Sequence, residues 1–507
     1  IEYYRLWEQD TVFALDLAWE PLFDPEERDR WNEGWVEWIV ERYGSVENAE
    51  ADWGVPVPRD GHGRIVNIDP ENIGKETRWD KMIAAYRRFL DTLLYQQYSR
   101  ARTLVRTLDD KHPVSFRMSV AGDPTYKWPP VKPYDFAYLA GAVDVLEPEA
   151  YGRIGDWERV KAGCFTFEYA RWANPALPLL WAEAGVHAWD MARMESSPEK
   201  LQFQAEFYQR LYRMLISSGA DGIFFWWYPG GFRTGENSDY GVINPDGSYR
   251  PVSRVIRKYA QAFIQGPAAN PVDTWLVMDR DQHSDGLPGI YDELATTFWE
   301  AVDSGKTPGL KTSATGSDSA TCPLIAVGNS PHNGSNPPKH LDGFFDRVEV
   351  RDATGQWIEL SKGGRVEVST VDVPTARLTV TNLGEASWRV SRVSQGPGEA
   401  SAAATAPESG AANVAASAGP ETAEDLGFVH VLAQGRGNSV KTLLPQPLQR
   451  FETLTFEAAL TQGPPAESED IVLTFDARGR ASFGPKFNLT IMPVASVDNE
   501  KDRTHAR

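Results

Sequence analysis

Leu177-Pro-Leu-Leu-Trp-Ala-Glu-Ala-Gly185 and Ala14-Leu-Asp-Leu-Ala-Trp-Glu-Pro21 are short apolar runs, each ending in a glutamate and followed by turn-forming or helix-starting sequence. Continuous apolar runs of this length read as strands buried on both faces, as in a parallel sheet covered by helices. A carboxylate at the C-terminal end of such a strand is costly unless it is used, because an unpaired buried charge is strongly penalised. The two runs thus set the fold class and the chemistry to look for.

Outward from them, residues 1–268 alternate between strand and helix patterns. Strands are predicted at 12–18, 112–119, 143–147, 177–182 and 222–227. Helices are predicted from Asp24, an N-cap followed by Pro25, to Tyr43, and over 79–108, 137–141, 157–172, 198–217 and 252–263. This alternation predicts an α/β domain, a (β/α)8 TIM barrel, of which strands 4 to 8 are present. A full barrel takes about 250 residues, about 30 per strand–helix unit, and residues 1–9 read as the tail of a helix. The chain is therefore expected to begin roughly 90 residues into the barrel. A removed N-terminal part or a companion chain would complete it; an open sheet is the alternative.

Residues 269–330 read as a small α/β accessory domain, with a strand at 275–278 and an amphipathic helix at 289–302. Residues 331–507 are β-rich, with alternating faces in Phe345-Asp-Arg-Val-Glu-Val350 and Arg377-Leu-Thr-Val-Thr381. They are expected to form an immunoglobulin-like β-sandwich. Its insertion, about 396–427, is rich in Ala, Ser, Gly, Pro and Glu and too poor in large apolar residues to offset its ordering entropy.

The net charge of −20 argues against nucleic-acid and anionic-membrane partners, which need basic patches. No apolar run approaches the roughly 18 residues of a spanning helix, and no secretory signal is visible. The expectation is a soluble protein, cytoplasmic or secreted. Cys164 and Cys322 fall in different predicted domains and read as small buried residues, not as a disulfide or zinc site. The eight histidines show no metal-ligand spacing and no glycine-rich phosphate loop follows a strand, so no cofactor or metal is expected.

Two carboxylates gathered at strand ends are the minimum equipment for cutting a glycosidic bond. Glu20 and Glu183 are that pair here, and the neighbouring Trp19 and Trp181 would desolvate them. Aromatic residues, 11% of the chain, supply flat faces that stack on sugars.

At these residues the chain resembles clan A glycoside hydrolases, and family 42, the β-galactosidase-like enzymes, in particular. Trp35-Val-Glu-Trp-Ile-Val-Glu-Arg-Tyr-Gly44 with Ala51-Asp-Trp-Gly54 is similar to the family's helix and turn after the acid/base. Asp221-Gly-Ile-Phe-Phe-Trp-Trp227 resembles its eighth strand, and Val277-Met-Asp-Arg-Asp281 with Gly305-Lys-Thr-Pro-Gly309 its second domain. Asn382-Leu-Gly-Glu-Ala-Ser-Trp388 is similar to immunoglobulin-like modules. The resemblance implies a retaining exo-β-glycosidase, with Glu20 as acid/base ending strand four and Glu183 as nucleophile ending strand seven. The clan's Asn before the acid/base is Trp19 here, a departure at the position that bonds the sugar 2-hydroxyl.

Further substrate-contact candidates are Arg117, orienting a carboxylate, Tyr151, bonding the nucleophile, and His187, lining the cleft. Trp226 and Trp227 alternate in direction, so one is expected to face the site. Arg233 and Glu236 are loop candidates, while Asp16 is expected to form a buried structural pair. The expected partner is an oligo- or polysaccharide or other β-glycoside; family 42 also includes homo-oligomers. An endo-β-glycanase of the clan, and a non-catalytic carbohydrate-binding protein on a degenerate barrel, are the competing readings.

Overall fold

In the computed structural model the chain is described over residues 1–20, 28–74, 78–118, 123–127, 136–151, 157–266, 269–390 and 425–494. It divides into two compact units, Ile1–Ser313 with Val327–Ser330, and Ala314–Ala326 with Pro331–Arg507. The predicted start of the first long helix, at Asp24 and Pro25, lies outside the described residues, as does most of the 396–427 insertion. Together the elements form a mixed α/β protein with β-sandwich-like sheets.

In the first unit, β1 (Leu15–Trp19), β2 (Val114–Arg117) and β3 (Val145–Glu147) pair in parallel and in chain order. β4 (Glu149–Tyr151) and β5 (Leu180–Gly185) are parallel neighbours too. A short hairpin, β6 (Trp189–Asp190) with β7 (Glu195–Ser196), precedes β8 (Gly222–Phe225), which adds to β5. Pro148 separates β3 from β4, because proline has no N–H to give a ladder. The chain bridges the gap through Leu146 N–H donating to Pro178 (3.2 Å) and Ala182 N–H donating to Pro148 (3.1 Å). The sheet curls: Phe13, just before β1, meets Phe224 of β8 with ring centroids 6.3 Å apart.

The helices follow their capping signals. α1 (Asn32–Tyr43) ends at Gly44, with φ 80°, and α2 (Val46–Trp53) opens on Ser45, whose hydroxyl accepts from the Asn48 N–H. α3 (Pro70–Ile73) is a single turn capped by Asp69. α4 (Asp80–Arg106) buries Met82, Ile83, Tyr86, Phe89 and Leu90. Its buried Arg88 and Asp91 pair with Asp281 (3.0 Å) and Arg280 (2.9 Å). Such pairs are tolerated in an interior only because each charge meets its opposite.

The helix predicted over 157–172 is two, α5 (Trp157–Lys161) and α6 (Gly163–Ala173). The break falls at a close approach, since a Cβ on Gly163 would lie 2.7 Å from the Trp181 ring. α7 (Pro198–Ser217) is capped by Ser197 and α8 (Pro251–Ile264) follows. β9 (Thr274–Val277) and β10 (Pro308–Lys311) are parallel and joined by α9 (Leu287–Asp303), a βαβ unit.

Other boundaries also move. Residues 1–9 form turns and a short 3-10 helix, Leu6–Glu8, where an α-helical tail was expected: Arg5 sits at φ 50° and its N–H reaches only Glu2. β5 starts and ends three residues later than predicted, so Glu183 lies inside the strand rather than past its end.

In the second unit, one sheet has the order β12 (Trp357–Glu359), β11 (Gly343–Arg351), β14 (Thr375–Asn382), β17 (Thr453–Ala459). The other has the order β13 (Gly364–Ser369), β19 (Ala481–Val494), β18 (Glu469–Ala477), β15 (Val429–Gln434), β16 (Ser439–Leu443). Val348, Leu378 and Val380 of the first and Val431, Leu473 and Ile491 of the second share one apolar core. Trp388, fully buried, packs on Phe475 and Phe483 at its centre.

Candidate active site

Glu20 follows β1 directly, and its backbone N–H continues the ladder to the Arg117 carbonyl (3.2 Å). Its φ of 46° is in the left-handed region, which costs a non-glycine residue about 1–2 kcal/mol. Strain of this kind concentrates at functional sites. Glu183 projects from within β5 and is 8% exposed. Arg117, at the end of β2, donates from Nη1 to its Oε2 at 2.6 Å. The same guanidinium lies 5.4 Å from the Trp19 ring and 3.8 Å from Asp16. Asp16 also accepts from the Ala18 and Arg117 N–H groups, yet its side chain is 37% exposed, so the expected pair forms without full burial.

A third acid joins them. Glu149 stands directly opposite Glu183 in the β4–β5 register and is 0% exposed. One carboxylate oxygen from each of Glu20, Glu149 and Glu183 lies within 4.8 Å of the others. Glu149 is not among the residues singled out from the sequence. The signal was there, because Glu147, Glu149 and Tyr151 recur at the two-residue period of a strand face.

The electrostatics follow from this crowding. Burial pushes Glu183 up to about 7; Arg117 pulls it down, Glu20 and Glu236 push it up, and Arg233 pulls it down. Glu149 is pushed up to about 10 by burial, then by the Glu20 carboxyl beside it and by the charge of Glu183. Glu147, deeper in β3, is raised to about 7 by burial and by Asp16. One guanidinium, that of Arg117, opposes all three shifts.

The remaining candidates divide. Trp226 and Trp227 lie beyond the end of β8, so the strand alternation from which one of them was expected to face the site does not govern them. Their rings are 5.1 Å apart, and the Arg233 guanidinium covers both, at 4.8 and 4.5 Å. Glu236 holds Arg233 at 2.9 Å. Trp19 is 72% exposed. Trp181 stacks on Phe167 of α6, with ring centroids 5.4 Å apart. His187 turns its ring to Tyr240, with burial lowering its pKa. Tyr151 ends β4 opposite Gly185, but its side chain lies outside what is described.

Gly185 is required where it stands. A Cβ there would come within 2.7 Å of the Trp226 carbonyl, and this close approach lets the Trp226 N–H reach the Ala184 carbonyl at 2.9 Å.

No protein-family model and no curated protein matches the chain. Among solved structures it is similar to a GH5_18 protein from Bifidobacterium longum subsp. infantis, at 16% identity and TM-score 0.32, over 51% of this chain and 58% of that one. It is similar to a β-galactosidase from the haloarchaeon Halorubrum lacusprofundi, at 13% identity and TM-score 0.44, over 71% and 63%. A β-galactosidase from Bacillus circulans sp. alkalophilus matches at 14% identity and TM-score 0.42, over 61% and 47%. The chain thus spans between about half and two thirds of the length of each of these structures.

Proposed function

We propose that the protein is a retaining β-glycosidase acting by double displacement, with Glu183 as nucleophile and Glu20 as acid/base. The observation that carries this reading is the separation of carboxylate oxygens, at most 4.8 Å. Retaining enzymes set their carboxyl groups about 5–5.5 Å apart, whereas inverting enzymes leave about 6.5–9.5 Å for a water. The Glu20 proton passes to the glycosidic oxygen as Glu183 attacks the anomeric carbon. Water then gives its proton to Glu20 as its oxygen displaces Glu183. Arg117 favours the ionised Glu183 that attack requires. Trp226 and Trp227, bracketed by Arg233, offer aromatic faces for the sugar.

The finer reading is an exo-acting, β-galactosidase-like enzyme on a (β/α)8 barrel, of which the five chain-ordered strand positions form the second part. Its support is the motif order in the sequence together with the parallel, curling sheet. On this reading residues 269–330 are an accessory domain and residues 331–507 a β-sandwich module. A panel of aryl β-glycosides tests the activity. Wild type is expected to hydrolyse at least one, and Glu183→Gln to lose about 10³-fold or more. Undiminished turnover by that variant would remove Glu183 from the mechanism.

A further inference from the structure

We propose, resting on the glycosidase reading, that Glu149 is a positioning residue: a neutral carboxylic acid that donates a hydrogen bond to Glu20 and stabilises the carboxylate Glu20 becomes. Glu149 is fully buried and stands in register beside Glu183, with Glu20 within the same 4.8 Å group. Among the described residues, no donor reaches either of its oxygens, while Arg117 serves Glu183. An ionised Glu149 would therefore be an uncompensated buried charge pressed against two other carboxyl groups. A protonated Glu149 has one O–H to give, and the Glu20 carboxyl group is the acceptor within reach.

The protons balance with Glu149 unchanged throughout. In the first half-reaction the Glu20 proton goes to the leaving oxygen as its bond to the anomeric carbon breaks and the Glu183 ester forms. The new Glu20 carboxylate accepts the Glu149 O–H. In the second, water loses its proton to Glu20 while its oxygen takes the anomeric carbon from Glu183, which leaves as carboxylate. The donor stabilises the carboxylate that forms on Glu20 as its proton leaves.

Glu149→Ala removes the donor, and Glu149→Gln replaces it with an uncharged N–H donor. With poor leaving groups E149A is expected to lose about 10²-fold in kcat, the usual effect of one buried donor, and E149Q to recover at least about tenfold of it. A dinitrophenyl glycoside, whose leaving group needs no proton, should show a much smaller loss in E149A. Infrared difference spectra of wild type against E149Q at neutral pH should contain a protonated-carboxyl C=O stretch. E149Q as slow as E149A, or absence of that stretch, overturns the proposal. So does stabilisation of wild type but not E149Q by magnesium, calcium or manganese, since Glu149 would then be an anionic ligand. Wild type that cleaves no glycoside would sink the glycosidase reading instead, and the infrared band would still decide whether Glu149 is neutral.

Discussion

Arg117 is the residue on which the charge balance of the site turns. It is in hydrogen-bond contact with Glu183 and opposes the upward shifts of Glu147, Glu149 and Glu183. Replacing it with Ala should move Glu183 further above about 7, because the group that lowers its pKa is gone. The acid limb of kcat/KM should then move up by about 1–3 pH units, the range an adjacent opposite charge commands. Activity would fall most on the acid side of neutrality, and an unmoved limb would mean that another group sets it. Part of this was legible: Glu20 and Glu183 stood out as carboxylates closing apolar runs, and Arg117 as a cation within a predicted strand, placed to orient a carboxylate. Glu149 was legible only through the two-residue repeat Glu147, Glu149, Tyr151, a signal masked because Glu-Pro-Glu reads as the end of a strand when proline removes an N–H. The ladder instead passes from one neighbour strand to the other across Pro148, and the next residue is again on a strand.

At the scale of elements, the site depends on how closely the segment after β8 approaches β5. Gly185→Ala places a methyl 2.7 Å from the Trp226 carbonyl and 3.0 Å from the Tyr240 ring. Overpacking of this kind costs about 1–3 kcal/mol, and the backbone carbonyl cannot turn aside as a flexible side chain would. A lowered melting temperature together with weaker substrate binding through Trp226 and Trp227 is expected; an unchanged KM would separate those rings from the sugar. The order and type of the parallel strands followed from their apolar runs, but their ends did not. Trp226 and Trp227 extend the apolar run past the last ladder bond, so their joint contact with Arg233 had no counterpart in a two-residue period.

For the whole molecule, the buried acids link stability to pH. Glu147, Glu149 and Glu183 are raised to about 7, 10 and 7, above the usual carboxylate value of about 4.3. Below that value both folded and unfolded chains hold these protons. As pH rises the unfolded chain releases protons that the folded chain keeps, so this contribution to stability is lost progressively up to about 7 for Glu147 and Glu183, and about 10 for Glu149. The unfolding free energy of E149Q from urea melts should therefore gain on wild type between pH 5 and pH 9, by about 1.4 kcal/mol per pH unit. A gap that does not widen with pH would mean Glu149 ionises normally. The second unit, with its two sheets over a shared apolar core, was readable from alternation alone, because one buried face per strand leaves a clean period of two.

The central claim is that Glu183 forms the covalent link to the sugar. Incubation with a deoxyfluoro β-glycoside bearing a good leaving group, followed by peptide mass mapping, tests it directly. The account predicts one sugar per chain, attached at Glu183 and absent from E183Q. An adduct on Glu20 or Glu149, or turnover with inverted anomeric configuration and no adduct, would contradict it.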